Sequence, residues 1–303
     1  GSVSVTDVDA SGSAAAAAGG FDAARRRTTI GLESSPAPFN MNMWREPDSK
    51  TFNVRGANYL EDRLKFNAGS AQFRLVSVDV LEWSNRVPQN VCAHPRNRVA
   101  MAYEKVTGKP YQAAYTNEPA DVDPEVPRVD PSEQPKPEDC PDGLPWLFVL
   151  HIMIPGPPNL SFAAYFTPVD PNWHAKETPF ANVANPFFFG GDDEFCDNTF
   201  KLIPKIVEGN FVVRRVVGST PAVLGTKLKQ YYHRAPHYFE LDVDIGSSSV
   251  AAGVVRLSLG YATTITVDMG FVLEGKKEAD LPEAIMGCVQ CCHIDLSLAK
   301  FIE

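Results

Sequence analysis

Alternation of apolar and polar residues, or dense β-branched runs, marks the stretches near 51–55, 72–82, 146–155, 160–168, 211–218, 238–245, 264–274 and 285–295. A period of two, or a short apolar run, is what a strand needs to bury one or both of its faces, so these are read as strands. Helical spacing marks 57–66, 94–106, 220–233 and 248–262. Two starts are legible. Thr220-Pro221 places a hydroxyl before a proline at the first helical position, and Ser247 and Ser248 precede Val250-Ala251-Ala252. Only a turn from Pro155 to Asn159 separates 146–155 from 160–168, which is too short for a crossover helix and predicts an antiparallel hairpin. The expected class is α+β, a largely antiparallel curved sheet with packed helices.

Two stretches break the pattern. Residues 1–38 hold SGSAAAAAGG and RRR without periodicity and read as a flexible tail. Near 116–145, prolines recur among acids, and each removes a backbone donor that a sheet or helix needs, so a disordered insertion is expected. The remainder, 39–303, reads as one domain around that insertion, with no internal repeat.

The net charge of −9 changes meaning once located. Nine acids against two bases lie between Glu118 and Asp142, leaving the rest of the chain close to balance. No clustered Lys/Arg footprint points to nucleic acid, which is not an expected partner. The sequence has no run of eighteen apolar residues and no charged-then-apolar leader at its start, so neither a bilayer span nor secretion is expected. Six cysteines, three of them bunched, do not make a secreted disulfide framework. The cytoplasm, with peripheral contact to membranes, is the expected location.

Candidate chemistry is sparse. Glu240, Asp242 and Asp244 share one strand face, with Arg214 and Arg215 on the preceding expected strand as counter-charges. A solvated face with cross-strand pairs, a hard-cation site and an acid/base pair are the readings, in that order. Gly246-Ser247-Ser248 opens a helix, where hydroxyls cap it or receive an anion. Cys288, Cys291, Cys292 and His293, with Cys92 and His94, suit a metal knuckle in composition, but strand parity splits the set between two faces and favours buried thiols. His151 sits in an apolar run and is read as a hydrogen-bonded core group or a ligand contact. Gly191-Asp192-Asp193 reads as a turn with a helix cap. No G-x-S-x-G, H-E-x-x-H, G-x-G-x-x-G or true phosphate loop is present, so no enzyme, metal or cofactor is expected.

More specific wording runs from CDNTFKLIPKIVEGNFVVRRVVGSTPAVLGTKL through YFELDVDIGSSSVA to LGYATTITVDMGFVLEG. Around it stand MNMWREPDSKTFNVRGANYLEDRLK, NVCAHPRNR, IMIPGPPNLSFAAYFTPV, GGDDEF and ADLPEAIMG. In content and order these resemble the carboxy-terminal domain of the plant Enhanced Disease Resistance proteins, from about Trp44 to the end. In plant relatives that domain follows a pleckstrin-homology and a START module, which implies work at membranes and a START-like form of the sheet. The resemblance implies a non-enzymatic module for a lipid or other hydrophobic small molecule; a protein-interaction scaffold without ligand is the alternative. Under the first reading the strand through Trp146, Phe148 and His151 lines a cavity, the helix carrying Val254 covers it, and the ligand's polar end lies near Gly246, Ser247 and Ser248, with Arg214 and Arg215 close by.

Overall fold

The computed structural model describes residues 33–34, 42–111 and 134–302. The rest of the expected tail, and residues 112–133, which include the first part of the expected insertion, lie outside the described residues. The end of that stretch is folded: Gln134 packs against Gly191, and a short 3-10 turn spans Pro137–Asp139.

The strands are β1 (Glu33–Ser34), β2 (Met43–Arg45), β3 (Asn53–Arg55), β4 (Lys65–Asn67), β5 (Phe73–Trp83), β6 (Leu147–Ile154) and β7 (Asn159–Pro168). They continue with β8 (Phe200–Glu208), β9 (Ala222–Val223), β10 (Lys229–Ala235), β11 (Tyr238–Asp244), β12 (Thr266–Leu273), β13 (Ile285–Cys292) and β14 (Lys300–Phe301). The helices are α1 (Tyr59–Asp62), α2 (Arg98–Thr107), α3 (Pro179–Phe189), α4 (Asp193–Asp197), α5 (Phe211–Val217) and α6 (Ser249–Gly260). The first six-stranded sheet runs β1-β2-β13-β12-β8-β9 and the second runs β10-β11-β6-β7-β5-β14. Most pairs are antiparallel, including the expected β6–β7 hairpin; β11 runs parallel to β6. β3 and β4 form a separate two-stranded antiparallel sheet. The class is α+β, with two large sheets where one was expected.

The sheets face each other across an aromatic core. Phe166 of β7 meets Phe271 of β12 at 5.8 Å, and Phe148 of β6 meets Phe200 of β8 at 6.1 Å. Gly287 permits this approach: a Cβ there would stand 2.7 Å from the Phe166 ring, so any larger residue would push the sheets apart. α3 closes one end of the interlayer with Phe180, Phe187 and Phe188. Outside the second sheet, residues 87–99 cover Leu147, Val149, Tyr165 and Tyr238. Asp192 caps α4 by accepting from Phe195 N at 3.0 Å, as a turn-and-cap reading of Gly191-Asp192-Asp193 requires.

Three expected elements differ. The 211–218 strand is the helix α5, despite the β propensity of FVVRRVV. Asn210 caps it by accepting from Val213 N at 3.0 Å, and Val213 and Val217, four apart, pack with Ile206 and Ile265. Tertiary burial along one helical face outweighs the weak local preference. The 220–233 helix is instead β9 and β10, because Lys229–Ala235 finds a full antiparallel partner in β11. The 57–66 helix stops after one turn at Arg63, whose φ of 59° breaks it before β4.

Candidate functional site

α6 starts where its cap places it. Ser248 Oγ accepts from Ala251 N at 3.3 Å, and Asp244 Oδ1 accepts from Gly246 N at 2.8 Å. Ser247 Oγ donates to the Asp244 carbonyl at 2.6 Å and accepts from Lys229 N at 2.9 Å. In this structure these hydroxyls serve the cap and the turn.

A helix apolar over most of its circumference, as α6 is, is expected to be buried or to cover a ligand; no residue of α6 is fully buried and Val250 is 75% exposed. The helix lies at the open end of the interlayer, opposite in role to α3. A cleft of about 690 Å³ runs along it, walled by Ala252, Val255 and Leu259, by Ile154 and Leu160 of the hairpin, and by Leu296. Glu82, Arg256 and Ser297 supply polar lining. The cleft shares Ile154, Leu160, Leu259 and Leu296 with an adjoining pocket of about 150 Å³ that is lined from both sheets, to Val267, Met269 and Cys291. Apart from Ser258, the adjoining pocket is lined by apolar side chains. The volume of the cleft falls within the range of small-molecule sites.

The residues singled out in the sequence are not brought together here. Trp146 and Phe148 fill solid aromatic core, at 5.3 and 5.7 Å from Phe188. His151 points to the opposite face of its sheet, and Val254 is one residue away from the lining Val255. Arg214 and Arg215 lie on α5; the Arg214 guanidinium donates to the carbonyls of Ile206, Val207 and Gly209. What the sequence offered for the cleft was the spacing of Ala252, Val255 and Leu259 on one helical face, together with the inward parity of Ile154. What it could not offer was the gap between the sheets.

The larger correction concerns Glu240 and Asp242, which are fully buried rather than solvated. Phe239, Leu241 and Val243 face the other sheet, so the acids face the covering segment. Three successive amides satisfy them: Asp242 Oδ2 accepts from Asn90 N at 2.9 Å, Glu240 Oε1 from Val91 N at 2.7 Å and Glu240 Oε2 from Cys92 N at 2.8 Å. Their counter-charges are histidines, not arginines. His151 Nδ1 lies 2.8 Å from Asp242 Oδ1 and 3.4 Å from Glu240 Oε1, and His233 Nε2 lies 2.9 Å from Asp242 Oδ2. His151 Nε2 meets Ser161 Oγ at 2.7 Å, and that oxygen also accepts from Trp83 Nε1.

Ligand atoms of His151, Glu240 and Asp242 all lie within 4.8 Å of one another, a donor set a divalent ion would accept. Here these atoms hydrogen-bond one another, His233 and the three amides, so the cluster acts as an ionic clasp. Burial works against the charge on His151, but Asp242, with help from Glu240, raises its pKa from 6.5 to about 9. The same balance raises His233. Burial opposes ionisation of Asp242 too, yet the two histidines hold it below the usual carboxylate range, while burial and the Asp242 charge raise Glu240.

These shifts fix the sign of a pH dependence. A raised folded pKa gives stabilisation that is complete below the ordinary value and lost above the folded one. For His151 that loss runs from pH 6.5 to about 9. Glu240, also raised, acts in the same direction from its ordinary 4.5 upward; lowered Asp242 loses its contribution only as pH falls through its depressed pKa. The urea midpoint is therefore expected to fall between pH 6.5 and 9, and to fall less in His151→Gln. A flat midpoint in the unsubstituted protein would mean that His151 is neutral.

The cysteines do not converge. Cys288 donates to the Pro47 carbonyl on the outer side of its sheet, and Cys291 faces the interlayer. Burial pushes both thiols up to about 12, as inert core groups. Among the described residues, no helix is long and apolar enough to cross a membrane.

Comparison with known proteins bears on the whole chain. The family described as Protein ENHANCED DISEASE RESISTANCE 2, C-terminal, matches residues 44–295. A Protein ENHANCED DISEASE RESISTANCE 2-like of Arabidopsis thaliana is 32% identical over 258 residues, which cover 85% of this chain and 29% of that protein. The chain thus matches less than a third of that relative's length. No solved structure matches it.

Proposed function

The chain belongs to the family of ENHANCED DISEASE RESISTANCE 2 C-terminal domains, and from that premise we propose that it is a non-enzymatic module that holds a lipid or other hydrophobic small molecule beside α6. One observation carries the reading: the cleft of about 690 Å³ adjoins an apolar pocket lined from both sheets and is bordered by a helix with no fully buried residue. Apolar surface left unfilled at the end of a core loses both dispersion and transfer energy, so an alkyl chain entering it gains both. Arg256, Glu82 and Ser297 stand where a polar end would emerge. The place of action on this reading is the cytoplasm, in peripheral contact with membranes.

Native mass spectrometry of the purified chain tests it. The expected result is a lipid-sized mass increment that organic extraction removes. A bare mass, persisting after incubation with vesicles of total cell lipid, would instead support a scaffold that works through its surface alone.

A further inference from the structure

α5 keeps only part of itself in the protein. Val213 and Val217 face inward, whereas Phe211 is 72%, Val212 49% and Val216 41% exposed. Val207, just before the turn into α5, is also exposed. Scattered exposed apolar residues are ordinary, but four within ten positions, one of them a phenylalanine with most of its ring in water, form a patch that marks an interaction surface.

The charge around this patch differs from that of the chain. The protein is acidic as a whole, at −9, yet residues 205–217 carry Lys205, Arg214 and Arg215 against the single acid Glu208; Lys205 stands opposite Asp268 in the sheet, which leaves the two arginines as the cations of the patch. Glu208 is itself engaged, by His293 Nε2 at 3.1 Å and Thr266 Oγ1 at 3.2 Å. The Arg214 guanidinium is held by three backbone carbonyls, which orient it without neutralising it. Among the described residues no carboxylate pairs with Arg214 or Arg215. Apolar side chains rimmed by uncompensated cations match an anionic interface with a hydrocarbon interior beneath it. α5 also touches α6, the helix that borders the cleft.

We propose that the exposed face of α5, with Phe211, Val212 and Val216 as inserting residues and Arg214 and Arg215 as headgroup contacts, docks the protein on an anionic lipid bilayer. The proposal rests on the reading of the cleft as a lipid site for its purpose, since docking through the neighbour of α6 brings the cleft to the surface from which a lipid would be drawn. The apolar side chains enter the interface at little cost because nothing in the fold uses them, and the guanidiniums meet lipid phosphates or carboxylates.

Sedimentation of the full chain with phosphatidylcholine vesicles, with and without phosphatidylserine, tests the surface. The protein is expected to sediment with the anionic vesicles and to be released by salt. The pair Phe211→Ser, Val212→Ser should weaken that binding about tenfold or more, through lost interfacial burial. Arg215→Gln should weaken it about fivefold, and only on anionic vesicles. Both variants should melt with the unsubstituted protein, because these side chains are exposed, and should retain whatever lipid native mass spectrometry finds.

Failure of the unsubstituted chain to sediment, sedimentation of Phe211→Ser, Val212→Ser like the parent, or concentration-dependent self-association that this pair abolishes would each overturn the docking proposal. Lipid retained without vesicle binding removes the docking surface and leaves the cleft. Vesicle binding through α5 by a chain that carries no lipid does the reverse.

Discussion

Asp242→Ala is expected to lower folding stability by about 3–5 kcal/mol, the usual cost of removing one partner from a buried charged cluster. The carboxylate is fully buried on β11, and three groups converge on it: His151 Nδ1, His233 Nε2 and the Asn90 amide. Its removal takes from His151 the nearer of its two carboxylates and from His233 its carboxylate, and orphans an amide of the covering segment. Against a total of about 5–15 kcal/mol for a typical domain, the loss is a large share. Asp242→Asn, which keeps the volume and part of the hydrogen bonding, should fall between. Urea unfolding at pH 7 measures both. A change below about 1 kcal/mol for the alanine variant, the scale of an exposed pair, would show that the clasp is solvated.

Val255→Trp is expected to abolish lipid co-purification and to leave the fold intact. Val255 lines the cleft of about 690 Å³, which has room for an indole. In a filled core the same overpacking costs about 1–3 kcal/mol, so a stability change under about 1 kcal/mol is itself a test that the space is open. Val254→Trp serves as the control, because Val254 is absent from the lining. Undiminished lipid in Val255→Trp would place the ligand elsewhere, and a collapse of the fold would mean that the cleft closes in solution.

The long strands were legible because their faces are distinguished by composition alone. β5, β6, β7, β11, β12 and β13 all fall within two or three residues of the expected spans. The start of α6 was legible for a similar local reason, since Ser248 caps it through its own neighbour Ala251. α5 and β10 were not. FVVRRVV has strand-forming residues, and becomes a helix because Ile206 and Ile265 offer a surface that fits Val213 and Val217 at helical spacing. β8 and α3 escaped because FKLIPKIVE and PFANVANPFFF carry a proline inside the element, a signal that locally argues against both.

What the sequence determined by itself was the α+β class, the family, the hairpin and the alternation that puts Glu240 and Asp242 together on one face of a strand. Which face is dry was decided only in three dimensions. The amides that bury those carboxylates come from residues 148 to 152 positions away in the chain, and no local pattern records such a cover. The cleft is likewise a property of two sheets and a helix that do not quite fill the space between them. Periodicity specifies which side chains point together, whereas burial, pKa and empty volume depend on what arrives opposite.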